Sequence, residues 1–185
     1  MSLRRAAVVA LLAFPASGAI ADAPPPEPAG YRTADYRAPV PATVNGNPAL
    51  TTEQAAALWR QRTALFIDTL PQPPRPRELP DGTIWHPMPR NDIPGSIWLP
   101  DTGYGELPAP MAEYFGRNLR EATAGDKNRT LVFYCLANCW MSWNAAKRAA
   151  SLGYARADWY AEGTDGWARQ DLPLEHRNPV PRPVE

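Results

Sequence analysis

The sequence TLVFYCLANCWMSW, residues 130–143, decides the fold of this chain. Its first residues, Thr130-Leu-Val-Phe-Tyr134, are β-branched, apolar or aromatic, which is typical of a strand that is buried on both faces of a sheet. Cys135 follows directly, and from Ser142 to Leu152 the apolar residues recur at helical spacing. We therefore predict a buried strand, a loop that begins with a cysteine, and a helix.

The same alternation of strand and helix continues on both sides of this stretch. Short apolar runs at residues 64–68, 96–99 and 157–160 predict further strands, and helices are predicted over residues 53–59 and 110–122. Strands that alternate with helices pair in parallel and need helices on each face of their sheet. We therefore expect an α/β fold: a single domain whose central parallel sheet is flanked by helices on both faces.

The composition fits one folded domain with irregular ends. A chain of 185 residues is long enough to bury a core. Its 19 basic residues balance its 19 acidic residues, so we expect no nucleic-acid partner, which would need a basic surface. The prolines cluster outside the predicted elements. The expected regions are a signal peptide (1–21), a Pro-rich, extended and partly disordered arm (22–47), the domain (48–172) and a frayed Pro-rich tail (173–185).

The N-terminus has the pattern of an export signal. Arg4 and Arg5 give it a positive start, residues 6–14 form an apolar run, and Ala19 and Ala21 are small residues where a signal peptidase cleaves. The apolar run is shorter than the ~20 residues that span a bilayer. We therefore expect a cleaved signal, no membrane span after cleavage, and a location in the periplasm.

Cys135 and Cys139 are the only cysteines of the chain. In an oxidising compartment they can pair with each other or with a partner, and the sequence leaves both arrangements open. Cys135 is predicted to lie between the end of a parallel strand and the start of a helix. Loop N–H groups and the helix dipole favour negative charge at such a position. These surroundings favour the thiolate, and we expect Cys135 to be a nucleophile.

Residues 131–167 resemble the second half of a rhodanese domain, and the residues before them resemble the first half. The resemblance rests on short landmarks that follow one another in the right order. The landmarks are Leu50-Thr-Thr-Glu-Gln-Ala55, a strand that ends at Asp68, Ile93-Pro94-Gly95, the strand with its cysteine loop, Gly153-Tyr154 at the end of a helix, and Gly163 to Trp167. The resemblance implies a rhodanese-like fold with sulfurtransferase-like or thiol–disulfide chemistry.

A narrower resemblance rests on Cys135, Cys139 and Trp140. In an exported rhodanese-like chain, this sequence is similar to the CXXCW and CXXXCW motifs of proteins associated with pyrroloquinoline-quinone-dependent (PQQ-dependent) alcohol catabolism. This narrower resemblance implies that the protein supports an oxidation pathway that uses a quinoprotein. The implied partner is a periplasmic redox protein or a quinoprotein dehydrogenase, and the implied substrate is a small sulfur or thiol compound. No cofactor and no metal is implied.

We expect Cys135 and Cys139 to be the catalytic residues. We expect Asp68 to support their loop by accepting backbone N–H bonds. The sequence departs from the family pattern, because Trp140 stands where an arginine is usual, Asn138 stands where a glycine is frequent, and no arginine closely follows the first strand. The missing arginine clamp argues against thiosulfate as the substrate. The remaining members of the expected active loop are Leu136, Ala137, Asn138, Trp140, Met141 and Ser142.

We predict a dithiol/disulfide pair in which Cys135 attacks and Cys139 resolves the persulfide or sulfenic acid that forms on Cys135. Other interpretations stay open. The pair can be a static disulfide that stiffens the loop. The domain can be a non-catalytic docking module for a periplasmic dehydrogenase or cytochrome. The two sulfurs can also carry Cu(I), with His86 or Met141 completing the site.

Overall fold

A computed structural model describes residues 23–85 and 90–183 of the chain. The predicted signal peptide and His86 lie outside this range. Within it, no helix combines the length and the apolar character that a membrane span requires. In chain order the elements are β1 (Thr43–Val44), β2 (Asn47–Pro48), α1 (Thr52–Gln61), β3 (Ala64–Asp68), β4 (Arg90–Asp92), β5 (Ile97–Trp98), α2 (Ala109–Ala122), β6 (Thr130–Tyr134), α3 (Trp140–Ser151), β7 (Ala157–Trp159), α4 (Gly163–Arg169) and β8 (Glu175–Arg177).

The central sheet has four parallel strands in the order β5, β3, β6, β7. β6 pairs with β3 along its whole length, so that Ala64 lies opposite Thr130 and Asp68 lies opposite Tyr134. Because both strands run in the same direction, Asp68 and Cys135 reach the same edge of the sheet. The predicted parallel sheet is confirmed, and its carboxyl edge carries the cysteine loop.

Helices cover both faces of this sheet, as the sequence predicts. Along β6, Leu131 and Phe133 belong to the core on one face, and Val132 and Tyr134 belong to the core on the other. α2 and α3 contribute to the first core, whereas α1 and α4 contribute to the second. The central strand is therefore buried on both sides, which fixes the position of the cysteine that follows it.

The helix boundaries differ from the prediction next to the cysteine loop. α3 begins at Trp140, with Cys139 as its N-cap, and not at Ser142. Gly163 and Gly166 predict a turn, whereas the structure has helix α4 at that point. The buried indole of Trp167 explains the helix, because it packs in the second core and holds these residues against the sheet.

The end of the chain is more ordered than the sequence indicates. β8, within the expected tail, pairs antiparallel with β4, so that Asp92 lies opposite Glu175. Further along, the backbone N–H of Val180 donates to the carbonyl of Trp98 at 2.9 Å. β5 is an edge strand of the central sheet, and an exposed sheet edge has unpaired polar groups. The tail is ordered because it satisfies some of them.

The contact between α4 and the cysteine loop can be tested at Gly163. A Cβ at this position would collide with the main-chain carbonyl of Cys135, and the φ of Gly163 is 52°. We expect Gly163→Ala to lower the free energy of unfolding by about 2–4 kcal/mol, measured by urea denaturation. Gly125→Ala is the matched control, because Gly125 has a φ of 80° but open space around a Cβ. The control should lose about 1 kcal/mol, and equal losses in both variants would contradict the contact.

Candidate functional site

Cys135 and Cys139 form a disulfide within the loop that joins β6 to α3. Their Cα atoms are 6.3 Å apart, which is within the usual range for a disulfide. Asn138 turns the loop with a φ of 52°, a conformation that asparagine and glycine tolerate better than other residues. This explains why asparagine can stand at the glycine position of the family pattern. Of the two arrangements that the sequence leaves open, the structure has the internal pair.

The disulfide is buried. Cys135 is 0 % exposed and Cys139 is 2 % exposed. Both cysteines pack against the buried side chain of Met141, and this cluster is covered by the partly buried side chains of Tyr36, Leu70 and Leu136. A reaction partner therefore reaches the sulfur atoms only after part of this cover moves.

Some N–H groups of the loop bond to oxygens of the protein itself. The N–H of Ala137 donates to the carboxylate of Asp165 at 3.0 Å. The N–H of Trp140 donates to the carbonyl of Tyr36 at 2.9 Å. The sequence predicts loop amides that favour an anion at Cys135, and in this state these two amides have other acceptors.

The segment of residues 31–43, which we name the arm cover, lies over the cysteine loop and the start of α3. Tyr36 is its central residue. The ring of Tyr36 packs edge-on against Tyr104, with 5.4 Å between the ring centroids, and its hydroxyl accepts the N–H of Gly105 at 3.1 Å. The indole N–H of Trp140 donates to the carbonyl of Pro39 at 3.2 Å. These contacts place the arm cover directly against the disulfide.

Side chains of α3 hold the arm cover by its main chain. The buried Asn144 accepts the N–H of Arg32 at 2.9 Å and donates to the carbonyl of Arg32 at 2.8 Å. The indole N–H of Trp143 donates to the carbonyl of Thr43 at 2.9 Å. The guanidinium of Arg32 also lies over the ring of Trp140, 5.2 Å from its centroid. The sequence predicts a partly disordered arm, and this segment is ordered because these buried donors need acceptors.

A buried ionic cluster lies on the opposite side of the loop. Arg90 Nε is 2.6 Å from the carboxylate of Asp68 and 3.0 Å from the carboxylate of Asp92. Arg90 Nη2 lies 3.4 Å from the carbonyl oxygen of Cys135, and Nη1 lies 3.3 Å from the hydroxyl of Thr164. Arg90 thus joins the end of β3, the cysteine loop and the start of α4.

Asp92 is the exceptional member of this cluster. Burial and the neighbouring carboxylate of Asp68 raise the pKa of Asp92 to about 9. Its contact with Arg90 Nε at 3.0 Å is an ion pair that lacks the geometry of a hydrogen bond, and within the described residues neither of its oxygens forms one. At neutral pH Asp92 therefore holds a proton, and the positive charge of Arg90 is balanced by the carboxylate of Asp68. A neutral cluster is far less costly to bury than one with an unpaired charge.

The structure brings the predicted active-loop residues together, from Leu136 to Ser142, but it gives some of them packing contacts. The hydroxyl of Ser142 donates to the carbonyl of Cys139 at 3.2 Å and accepts the indole N–H of Trp159 at 3.0 Å. Asp68 accepts the N–H of Leu70 at 2.7 Å. Its link to the cysteine loop runs through Arg90 and not through a loop N–H.

Sequence reasoning missed the residues that surround this loop. Arg90 brings a guanidinium to Asp68 at the end of β3, although it lies 22 residues further along the chain, after a proline-rich loop. Asp165 has the pattern of a turn residue and instead accepts a loop N–H. An acidic residue in the first turn of a helix is the one local signal that could have marked it.

The copper interpretation requires the reduced protein. Among the described residues, no three His, Cys, Asp or Glu side chains lie close enough to hold a metal ion together. Met141 packs against the cysteine pair, while His86 lies outside the described residues. Thiolates are the Cu(I) ligands, and both sulfurs are bonded to each other in this state.

The sequence profile of the rhodanese-like domain family matches residues 52–170. No curated protein sequence matches the chain. Similar solved structures include an uncharacterised protein from Saccharomyces cerevisiae, with 17% identity and a TM-score of 0.40 over 66% of this chain and 91% of that chain. Thiosulfate sulfurtransferase from Pseudomonas aeruginosa has 20% identity and a TM-score of 0.43, over 75% of this chain and 22% of its own. Human single-domain sulfurtransferase TSTD1 has 22% identity and a TM-score of 0.41, over 68% of this chain and 98% of its own.

The proton on Asp92 predicts a specific dependence of stability on pH. Folded Asp92 keeps a proton up to a pKa of about 9, whereas the ordinary value is 3.8. The free energy of unfolding therefore falls as the pH rises between these values, by at most about 1.4 kcal/mol per pH unit. Asp92→Asn, which mimics the protonated carboxyl, should flatten this slope in urea unfolding measured from pH 6 to pH 9.

Asp81→Asn is the control for this prediction, because it makes the same chemical change on an exposed loop residue. It should leave the slope of the wild-type protein unchanged. An unchanged slope in Asp92→Asn as well would show that Asp92 is not the group that binds the proton.

Proposed function

Since this chain belongs to the rhodanese-like domain family, we propose that it is an exported protein that handles sulfane sulfur or thiol redox chemistry through Cys135 and Cys139. The proposal is carried by the place of the disulfide, which begins directly after the central strand β6 and ends at the N-cap of α3. A helix N-terminus stabilises a nearby thiolate. Cleavage of this disulfide therefore releases a favoured leaving group.

The proposed cycle uses both cysteines. In the reduced protein, the thiolate of Cys135 attacks the outer sulfur of a persulfide or polysulfide donor, and the donor leaves as a thiolate or a shorter polysulfide. The thiolate of Cys139 then attacks Sγ of Cys135, which forms the internal disulfide and expels hydrosulfide. A dithiol reductant restores the pair: one of its thiolates opens the disulfide through a mixed disulfide, and its second thiolate completes its own oxidation.

Opening of the arm cover is part of this proposal, because both sulfur atoms are buried in the oxidised protein. Tyr36 lies in the arm cover, whose main chain is held by the side chains of Asn144 and Trp143 in α3. Displacing it would expose the disulfide and release the N–H of Trp140 from the carbonyl of Tyr36. That N–H would then be free to face a thiolate.

Export and a role in PQQ-dependent oxidation complete the proposal. Export is supported by the positive, apolar and small-residue regions within residues 1–21. The pathway is supported by the resemblance of Cys135, Cys139 and Trp140 to the CXXXCW motif. In this role the reductant would be a periplasmic redox protein, and the quinoprotein dehydrogenase would be the enzyme that the protein supports.

One observation favours a second candidate function, a non-catalytic docking module. Cys135 and Cys139 are as buried as core residues, which is also what a static disulfide requires. In that case the disulfide would hold the loop and the arm cover in one shape for a partner to bind. The two functions differ in whether the disulfide exchanges with thiols.

The redox potential of the disulfide separates the two functions. For a reactive pair we expect a potential above about −300 mV, since structural disulfides generally lie below this value. The fraction reduced is measured in dithiothreitol buffers by iodoacetamide trapping and mass spectrometry. In Cys139→Ser, a polysulfide should leave one extra sulfur on Cys135, because the resolving thiol is missing. Cys135→Ser should gain none. A potential well below this limit, together with no sulfur gained by Cys139→Ser, would favour the docking module.

The arm cover should limit the rate at which the disulfide is reduced. Tyr36→Ala removes the ring that covers the cysteines, and a loss of about 1.4 kcal/mol in local closing free energy raises the open fraction about tenfold. We expect the rate of reduction by dithiothreitol to rise by this factor. Tyr36→Phe keeps the ring and removes only the hydroxyl that accepts the N–H of Gly105, so its rate should stay close to that of the wild type. Equal rates in all three proteins would mean that access is through Leu70 or Leu136.

A further inference from the structure

A cavity lies at the opposite end of the central sheet from the cysteine loop. It has a volume of about 660 Å³, which is in the range of small-molecule sites. Three arginines line it: Arg60 and Arg62 from the end of α1, and Arg129 from the residue before β6. Ala64 pairs with Thr130, and this register brings the residues that precede the two strands side by side.

The three arginines are exposed to solvent, and their charges are not balanced by the residues around them. None of the described residues that line it is acidic. Within the described residues, no carboxylate forms a salt bridge with any of the three guanidinium groups. The carboxylate of Glu175 lies near the rim but bonds to the N–H of Gly95 and to Arg177. Like charges that share a cavity repel one another, and a bound anion removes that repulsion.

Part of the wall of the cavity is apolar, and the ring of Trp59 within it is held in position. Trp59, Phe66 and Pro94 belong to this apolar part. The indole N–H of Trp59 donates to the carbonyl of Pro94 at 2.9 Å, and its ring packs edge-on against Trp167, with 5.5 Å between centroids. An aromatic ring held in this way suits a flat ring as a neighbour.

Helix polarity accounts for only part of this arrangement. Arg60 lies in the last turn of α1 and Arg62 caps it, and the end of a helix favours cations. Arg129 belongs to another part of the chain, and α1 gives no reason for its position. No helix N-terminus is among the described residues that line the cavity, so it lacks the N–H groups that bind compact phosphates. Separate guanidinium groups instead suit carboxylates spread around a molecule, each of which can form a bidentate pair.

We infer that this cavity binds a small aromatic anion with two or more carboxylate groups. The flat body lies against Trp59, and the carboxylates pair with Arg60, Arg62 and Arg129. This site is independent of the cysteine chemistry, because it lies at the other edge of the sheet.

The test is calorimetric titration of the oxidised protein with 1,3,5-benzenetricarboxylate at low ionic strength. Arg129→Ala should weaken binding about tenfold or more, because it removes a hydrogen-bonded charge pair. Arg120→Ala is the matched control, since Arg120 lies in the last turn of α2 as Arg60 does in α1. The control should change the affinity by less than about twofold. Citrate, which has the carboxylates but no ring, should bind more weakly.

Other results would overturn the inference. Absence of binding would do so, and so would equal weakening by Arg129→Ala and Arg120→Ala, which would indicate general electrostatic attraction. Citrate that binds as tightly as the aromatic acid would remove the role of Trp59. A hexaglutamate peptide that binds more tightly and displaces the aromatic acid would make this surface a docking site for an acidic protein segment.

Discussion

The guanidinium of Arg90 fixes the relative positions of three chain segments that are distant in sequence. It pairs with Asp68 at the end of β3, bonds to the carbonyl of Cys135, and lies beside Asp92 within its own strand. Charges in such a buried place must be balanced and hydrogen-bonded. Asp92 meets this requirement by keeping its proton, so that one carboxylate balances one guanidinium. The cysteine loop therefore has a rigid support on the side away from the arm cover.

The other side of the loop is bounded by the arm cover, which packs against the core through Tyr36, Ala38 and Val40. The arm cover occupies the N–H of Trp140 and shields the disulfide through Tyr36. The oxidised state is thus a closed state, in which the N–H groups of Ala137 and Trp140 bond to oxygens of the protein and both sulfur atoms are buried. In the proposed cycle, access to the sulfur and the release of a loop N–H are coupled, because the same segment controls both.

The sequence predicts the features that depend on neighbouring residues. The run from Thr130 to Cys135 gives the central strand and the start of the loop, and alternation of strands with helices gives the parallel sheet. The pairing of Arg90 with Asp68 was not predictable, because it spans a proline-rich loop with no periodic pattern. Whether the cysteines pair depends on the path of the loop, which is set by the φ of Asn138. Helix α4 was missed because Trp167, a tertiary anchor, overrides the local preference of its glycines.

The side chains of α3 hold the arm cover by its main chain, so this contact does not depend on which side chains the arm cover carries. Asn144 and Trp143 hold Arg32 and Thr43 through amide and carbonyl groups that almost any residue carries. Much of the arm cover can therefore drift in sequence during evolution and still lie in the same place, provided that its length and extended shape persist. Selection should therefore act mainly on α3, which supplies the side chains that form these hydrogen bonds. Relatives of this protein should preserve the Trp143-Asn144 pair, while the sequence of the arm cover diverges.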